Sequence, residues 1–293
     1  MKKPLILITP GDPAGIGPEI IAKALASPDL PQHCDYELLD YPHIATLGKP
    51  DAASARIALD ALEEAARRLN EGSADAVVTG PVSKETLQAI GFPYPGQTEF
   101  FSERLGASRT TMCLTGDHLT VALATIHIPL AEVASQLSSA GIINCGILLA
   151  HYMQQRLGRN PRIAVCGLNP HAGEQGAFGR EEIEIIAPAI AQLQGLGLAE
   201  FSGPHVPDAI FRDAAHGRYD AVLCMYHDQG LIPLKLLDFD NAVNITLGLP
   251  RPRLSPDHGT AFSIAGKNLA NPSSMLRALQ RAAEMVISPP QAS

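Results

Sequence analysis

Three histidines, His127, His171 and His227, each lie just beyond a short apolar run. Neutral imidazole is a common ligand for Zn²⁺ and related divalent metals. Separations of 44 and 56 residues exclude a local zinc-finger pattern, so any shared site has to be assembled by the fold. Taken alone, each is more often a hydrogen-bonded loop residue; recurrence at equivalent positions after three runs raises the case for a common site. Asp228 and Asp208 are carboxylates that suit the same site as metal neighbours or proton acceptors, although Asp208 also reads as a turn residue after Pro207. Lys84, Lys235 and Arg253 are cations near the ends of apolar runs, with Lys235 eight residues after His227. Beside a metal they suit a substrate carboxylate or phosphate; elsewhere they are solvated surface charges. Thr98, in Gly96-Gln97-Thr98-Glu99, either binds a ligand or caps the helix running to Arg104.

Groups so far apart in sequence need strands and helices to gather them. Leu5–Ile8, Ala76–Thr79, Val121–Thr125, Ile163–Cys166, Ala221–Met225 and Val243–Leu247 read as buried strands of a mainly parallel sheet. Between and after them Ala52–Asn70, Ser135–Leu157, Arg180–Leu193 and Met275–Val286 carry helical patterns. In the first, Asp51 is a candidate cap and Gly72 a candidate stop. The alternation indicates an α/β architecture, in which ligands bind at the carboxyl ends of strands. Gly, Pro, His, Asp and Lys concentrate there. The Gly-rich opening, Gly11 to Gly17, leads toward a helix starting near Pro18 and suits either an anion or, better, a tight structural turn. It matches neither the dinucleotide fingerprint nor the Walker pattern. Asp257-His258-Gly259-Thr260-Ala261, continuing to Ala270-Asn271-Pro272, reads as a long ordered loop, and such loops are often functional. No Gly-x-Ser-x-Gly elbow supports a serine triad.

The 293 residues include 22 Lys+Arg against 30 Asp+Glu, a net charge of −8, with hydrophobic residues at 46%. This composition excludes a disordered chain and argues against a broad basic face for nucleic acid. No apolar run reaches the roughly 18 residues that span a bilayer. The opening Met1-Lys2-Lys3-Pro4 and Leu5–Ile8 is too short for a signal peptide's apolar region. Five dispersed Cys, at 34, 113, 145, 166 and 224, suggest buried thiols in a reducing cytoplasm. His33, His43, His118, His151, His205 and His216 acquire no role from sequence, and Ser288 to Ser293 reads as a polar tail.

The segments Thr9–Glu19, Thr79–Lys84, Gly96–Phe101, Thr125–Leu130, Cys166–Gly176, Met225–Lys235, Val243–Pro250 and Asp257–Ala261, in this order, resemble the 4-hydroxythreonine-4-phosphate dehydrogenases of vitamin B6 biosynthesis. The resemblance runs from about Leu5 to Val286. It implies a two-domain α/β fold of the isocitrate/isopropylmalate dehydrogenase type, with an active-site cleft between domains. Residues 1–105 and 245–293 would form a discontinuous cofactor-side domain, and 106–244 a central domain with the metal ligands and dimer interface. It implies a homodimer whose partner completes the active site. By motif position, His127, His171 and His227 would ligate a divalent metal (Zn, Co, Mn, Mg or Ni). Gln97, Thr98, Lys235, Asn244 and Arg253 would hold the substrate. NAD would lie along His258, Gly259, Thr260 and Ala261, reaching Asn271. Lys235, Asp228 and Asp208 are the candidates for proton transfer.

The implied reaction is NAD-dependent oxidation of the C3 hydroxyl of 4-phosphooxy-L-threonine followed by loss of the carboxylate, in the cytoplasm, with neither nucleic acid nor membrane as partner. Two features depart from the family pattern. Gln97 stands where the family usually has His, and the segment before Asp51 is short, which implies missing peripheral strands. Gln97 motivates an alternative, the same chemistry on a phosphorylated sugar acid such as 4-phospho-threonate or on a cyclic diol carboxylate. A phosphate acyltransferase and a metal-dependent hydrolase are alternatives of other classes; the three histidines and the Ile264–Pro272 loop speak against the first.

Overall fold

The computed structural model describes residues 2–39 and 45–287. His43 and the polar tail Ser288 to Ser293 lie outside the described residues. In chain order the strands are β1 (Leu5–Thr9), β2 (Asp35–Leu38), β3 (Ala76–Thr79), β4 (Thr111–Thr115), β5 (Thr120–Leu123), β6 (Arg162–Cys166), β7 (Glu200–His205), β8 (Ala221–Cys224), β9 (Val243–Leu247) and β10 (Arg253–Pro256). The helices are α1 (Gly17–Leu25), α2 (Ala52–Asn70), α3 (Lys84–Ala89), α4 (Gln97–Arg104), α5 (Val133–Gln136), α6 (Ser139–Leu157), α7 (Ala187–Gly195), α8 (Pro207–Ala215), α9 (His227–Asp238) and α10 (Ser273–Ile287). The described residues fall into two compact units. One lies within Met1–Ser108 and Val243–Pro289, the other within Arg109–Ala242.

In the first unit the strand order is β2-β1-β3-β10-β9. All neighbours are parallel except β10 and β9. Helix α2 shows why the sequence folds this way. Ala55, Ala58, Leu62, Ala65 and Leu69 recur at helical spacing and are all buried. They join Leu7, Val77, Phe100 and Phe101 in one core. The Asp51 side chain accepts from the Ser54 N–H while the Ser54 hydroxyl accepts from the Asp51 N–H, a reciprocal cap. Gly72, at φ 70°, follows the last turn.

The Gly-rich opening resolves as a tight structural turn. A Cβ on Gly11 would stand 2.3 Å from the Pro81 carbonyl oxygen, and one on Gly17 2.2 Å from that of Pro10. A Cβ on Gly15 would meet the Thr260 carbonyl oxygen, which accepts from the Ile16 N–H at 2.9 Å. These glycines admit neighbouring backbone and press the loop against the Thr260 segment.

In the second unit the order is β4-β5-β8-β6-β7. Strands β5, β8, β6 and β7 are parallel, with β4 antiparallel to β5. Their core gathers Leu114, Val121, Ala164, Val222 and Leu234. The expected helix Ser135–Leu157 is interrupted, because the Ser138 side chain accepts from the Gly141 N–H and starts α6 afresh at Ser139. The expected helix Arg180–Leu193 begins with a π turn, Glu182–Ile186, before α7. Pro188 has no N–H for the carbonyl four residues back, which interrupts the α-helical ladder there. Strand β5 stops at Leu123, two residues short of the expected Thr125. All five Cys are buried and unpaired as disulfides.

Candidate active site

In the second unit, β5, β8 and β6 are adjacent and parallel, so their carboxyl ends open on the same edge. His127 lies beyond β5, His227 is the first residue of α9 beyond β8, and His171 lies in the turn Pro170–Gly176 beyond β6. Side chains and backbone tie the three loops together. The Thr125 hydroxyl donates to the Met225 carbonyl at 2.7 Å, joining the β5 and β8 exits. Gln229, buried, accepts from the Met225 N–H at 2.6 Å and donates to the Gly167 carbonyl at 2.8 Å, joining the β8 and β6 exits. The His127 and His227 rings come within 5.8 Å centroid to centroid. His227 Nδ1 meets the Asp228 carboxylate at 2.7 Å. That contact leaves Nε2 as the nitrogen available to a ligand, an arrangement like that by which carboxylates orient metal-bound imidazoles elsewhere.

His171 stands differently. Its ring is exposed and lies 6.2 Å from that of Phe178, centroid to centroid. Among the described residues, no three His, Cys, Asp or Glu side chains are grouped closely enough to hold a metal ion. Two neighbouring imidazoles, His127 and His227, are donors of the kind a divalent ion takes, and among the described residues His171 is not grouped with them. Lys235 lies on α9 about 12 Å along the axis from His227 and is half-buried. Asp228 is exposed, as is Asp208 in the first turn of α8. Asp208 is thus a helical residue, not a turn residue.

In the first unit Arg253 is only 2% exposed. Its Nη2 donates to the Thr79 hydroxyl at 2.7 Å and to Gln97 Oε1 at 2.8 Å, and Nη1 to the Thr246 hydroxyl at 3.4 Å. Burial pushes the guanidinium pKa down to about 10, with Glu99 opposing, so it remains a cation at neutral pH. A buried guanidinium held by neutral oxygens is arranged to receive an anion. Gln97 and Thr98 open α4, whose cap is Gly96; Thr98 is therefore not the cap, and its hydroxyl instead meets that of Thr246 at 3.3 Å. Asn244 Oδ1 is buried with no hydrogen-bond partner among the described residues. The same holds for His258 Nε2, whose Nδ1 meets the Gly259 carbonyl at 3.1 Å. Thr260 is buried and Ala261 adopts a left-handed backbone at φ 42°. Asn271 is exposed, and its side-chain Oδ1 accepts from the Ser273 N–H and hydroxyl at the start of α10.

Residues 19–282 match the family model described as pyridoxal phosphate biosynthetic protein PdxA. The chain belongs to this family. It is 43% identical to a 4-hydroxythreonine-4-phosphate dehydrogenase of Geobacter metallireducens, covering 97% of this chain and 96% of that one. A crystal structure of the Klebsiella pneumoniae 4-hydroxythreonine-4-phosphate dehydrogenase superposes with a TM-score of 0.82 at 35% identity, over 97% of this chain and all of the other. The isocitrate dehydrogenase of Methylococcus capsulatus, at 16% identity and a TM-score of 0.53 over 94% of this chain and 83% of that one, shares the fold alone. Family membership makes the chain an oxidoreductase of pyridoxal phosphate biosynthesis.

Sequence reasoning missed several residues that position the family's motifs. Gln229 lies inside the segment Tyr226-His227-Asp228-Gln229-Gly230, where the titratable neighbours drew attention first. Thr79 and Thr246 fall inside the segments Thr79–Lys84 and Val243–Pro250, but nothing in their residue type marks them. Glu182 lies inside the helical pattern Arg180–Leu193 with no signal of its own, yet it is buried.

Proposed function

We propose that this chain oxidises the C3 hydroxyl of 4-phosphooxy-L-threonine with NAD⁺ and decarboxylates the product to 3-amino-2-oxopropyl phosphate. The observation that carries the site assignment is the cross-tied edge of β5, β8 and β6, from which all three candidate histidines project their loops. His127, His171 and His227 would hold a divalent metal. When bound, that ion supplies Lewis acidity toward the substrate oxygen. Oxidation removes the C3 hydrogen as hydride and the hydroxyl hydrogen as a proton; loss of CO₂ then requires a proton at carbon. Lys235 Nζ and the Asp228 carboxylate are assigned to taking and returning these protons, with Asp208 the third candidate. Arg253 would grip a substrate anion, with Gln97, Thr98 and Asn244 supplying further hydrogen bonds. NAD would lie along His258–Ala261, with Asn271 beside it.

A homodimer is part of this reading, completing the metal site. Ile232, Leu236 and Phe239, at helical spacing on and just after α9, are exposed by 67%, 83% and 70% in the single chain. Such an apolar stripe supports burial against a second copy. No single helix among the described residues is long and apolar enough to cross a membrane, and a cytoplasmic location is proposed.

The test follows NADH formation with 4-phosphooxy-threonine before chelation, after it, and after metal add-back. Turnover lost and then restored is the expected result. Phosphate release without NAD⁺ would instead indicate a hydrolase, and preferential turnover of 4-phospho-threonate would reassign the substrate.

A further inference from the structure

We propose that Glu182 is the positioning residue that holds His171 in place. The inference rests on the reading of His171 as a metal ligand. Glu182 is 3% exposed and opens the π turn before α7. One carboxylate oxygen accepts from the Leu168 and Asn169 N–H groups, each at 2.7 Å. The other accepts from Asn169 Nδ2 at 3.0 Å. These contacts fix the loop ahead of His171. Beyond it, Gly173 packs so closely that a Cβ would stand 2.6 Å from Glu182 Oε2. Gly167, at the exit of β6, also lies close, with a Cβ position 3.1 Å from Oε1. The carboxylate therefore touches the loop on both sides of the histidine.

The loop needs such a clamp. His171, Ala172, Gly173, Glu174 and Gln175 are consecutively left-handed, with φ of 52°, 51°, 78°, 42° and 54°. Only glycine adopts that region without a Cβ penalty. A run of four non-glycine residues around one glycine persists where the surroundings over-determine it. Glu182 supplies that determination through three neutral donors, which a carboxylate's two oxygens satisfy together. Glutamine has the same shape, but its amide nitrogen would face the Asn169 amide, donor against donor. Glu182→Gln thus damages the clamp with little change in volume.

The experiment measures Co²⁺ affinity by chelator competition, with thermal melting of the metal-free chain, for wild type, H171A, E182Q and E182D. Loss of affinity in both H171A and E182Q, the latter by about 10- to 100-fold, supports the proposal. Amide hydrogen exchange in residues 167–179 should also accelerate in E182Q. A merely structural role would lower the melting temperature and leave metal affinity unchanged. If H171A loses the metal and E182Q retains wild-type affinity, the positioning role is overturned while the ligand assignment stands. If H171A itself binds as wild type, the ligand assignment fails first. Should E182Q not fold, E182D decides: it keeps the charge on a side chain one methylene shorter, and unchanged affinity there overturns the proposal.

Discussion

The side-chain amide of Gln229 donates to the carbonyl of Gly167 across 2.8 Å, linking the first turn of α9 to the exit of β6. Its own carbonyl accepts from the Met225 N–H, so one buried side chain satisfies a donor and an acceptor at two strand ends. Gln229→Leu leaves both backbone groups buried without partners, at about 1–3 kcal/mol each. We expect urea denaturation to show a loss of that order and metal affinity to fall with it. Gln229→Glu keeps the acceptor toward Met225 but sets a buried carboxylate oxygen against the Gly167 carbonyl, so it should lose at least as much as Gln229→Leu. Wild-type stability in Gln229→Leu would remove Gln229 from the site's framework.

Arg253 gives a second prediction, read on substrate binding. Its partners are the neutral oxygens of Thr79, Gln97 and Thr246. Removing the guanidinium leaves buried oxygens such as Gln97 Oε1 without their donor, at about 1–3 kcal/mol each, partly offset by the loss of a desolvated charge. Arg253→Met should therefore fold with a lowered melting temperature. It should lose a charge-assisted bond to the substrate of about 1.5–3 kcal/mol, raising KM roughly 10- to 100-fold. Inorganic phosphate should raise the melting temperature of the wild type and not of the variant. An unchanged KM would show that Arg253 is structural only.

The patterns of α2 and β3 were legible because apolar periodicity and caps agree with the final packing: Asp51 caps α2 and the buried stripe runs from Ala55 to Leu69. Strands β2, β4, β7 and β10 were not legible. β2 is mostly exposed Asp-Tyr-Glu-Leu, β7 contains Gly203 and Pro204, and β10 opens on the buried Arg253. An exposed strand shows no apolar alternation, and a buried arginine defies a hydrophobic pattern because tertiary partners stabilise it. The site divides the same way. The histidines stood out by type and placement after apolar runs. Glu182 and Gln229 did not, because a carboxylate or amide that bonds backbone looks in sequence like a solvated one. The His171 turn was legible as a loop, while its left-handed run depends on contacts to Glu182, eleven residues beyond the histidine.

The His127–His227 pair makes a direct prediction. His127 is exposed and His227 half-buried, so His127→Ala and His227→Ala should change stability by no more than about 0.5 kcal/mol, the range of surface substitutions. Each should nevertheless abolish tight Co²⁺ binding. Asp228→Asn removes the charged partner of His227 Nδ1 and should weaken metal affinity about 10-fold. Equal affinity in His227→Ala and wild type, read by chelator competition, would dismiss the pair as a metal site.

His118 carries the pH dependence. The buried Asp238 carboxylate accepts from the His118 and Leu119 N–H groups and meets His118 Nδ1 at 2.7 Å. Hydrogen bonding to Asp238 raises the His118 pKa above its ordinary value. A raised folded-state value means the folded chain binds the proton more tightly than the unfolded one. The stabilisation is therefore fully present below about pH 6.5, the unfolded value, and is lost as pH rises through the higher folded value. Melting temperatures across that window should decline for wild type, and His118→Ala should flatten the decline. The variant leaves both backbone donors on Asp238, so the last turn of α9 stays tethered to the β4–β5 hairpin. Gly116, where a Cβ would stand 2.3 Å from the Asp238 carboxyl, keeps that tether close. A decline in His118→Ala as steep as in wild type would place the titrating group elsewhere.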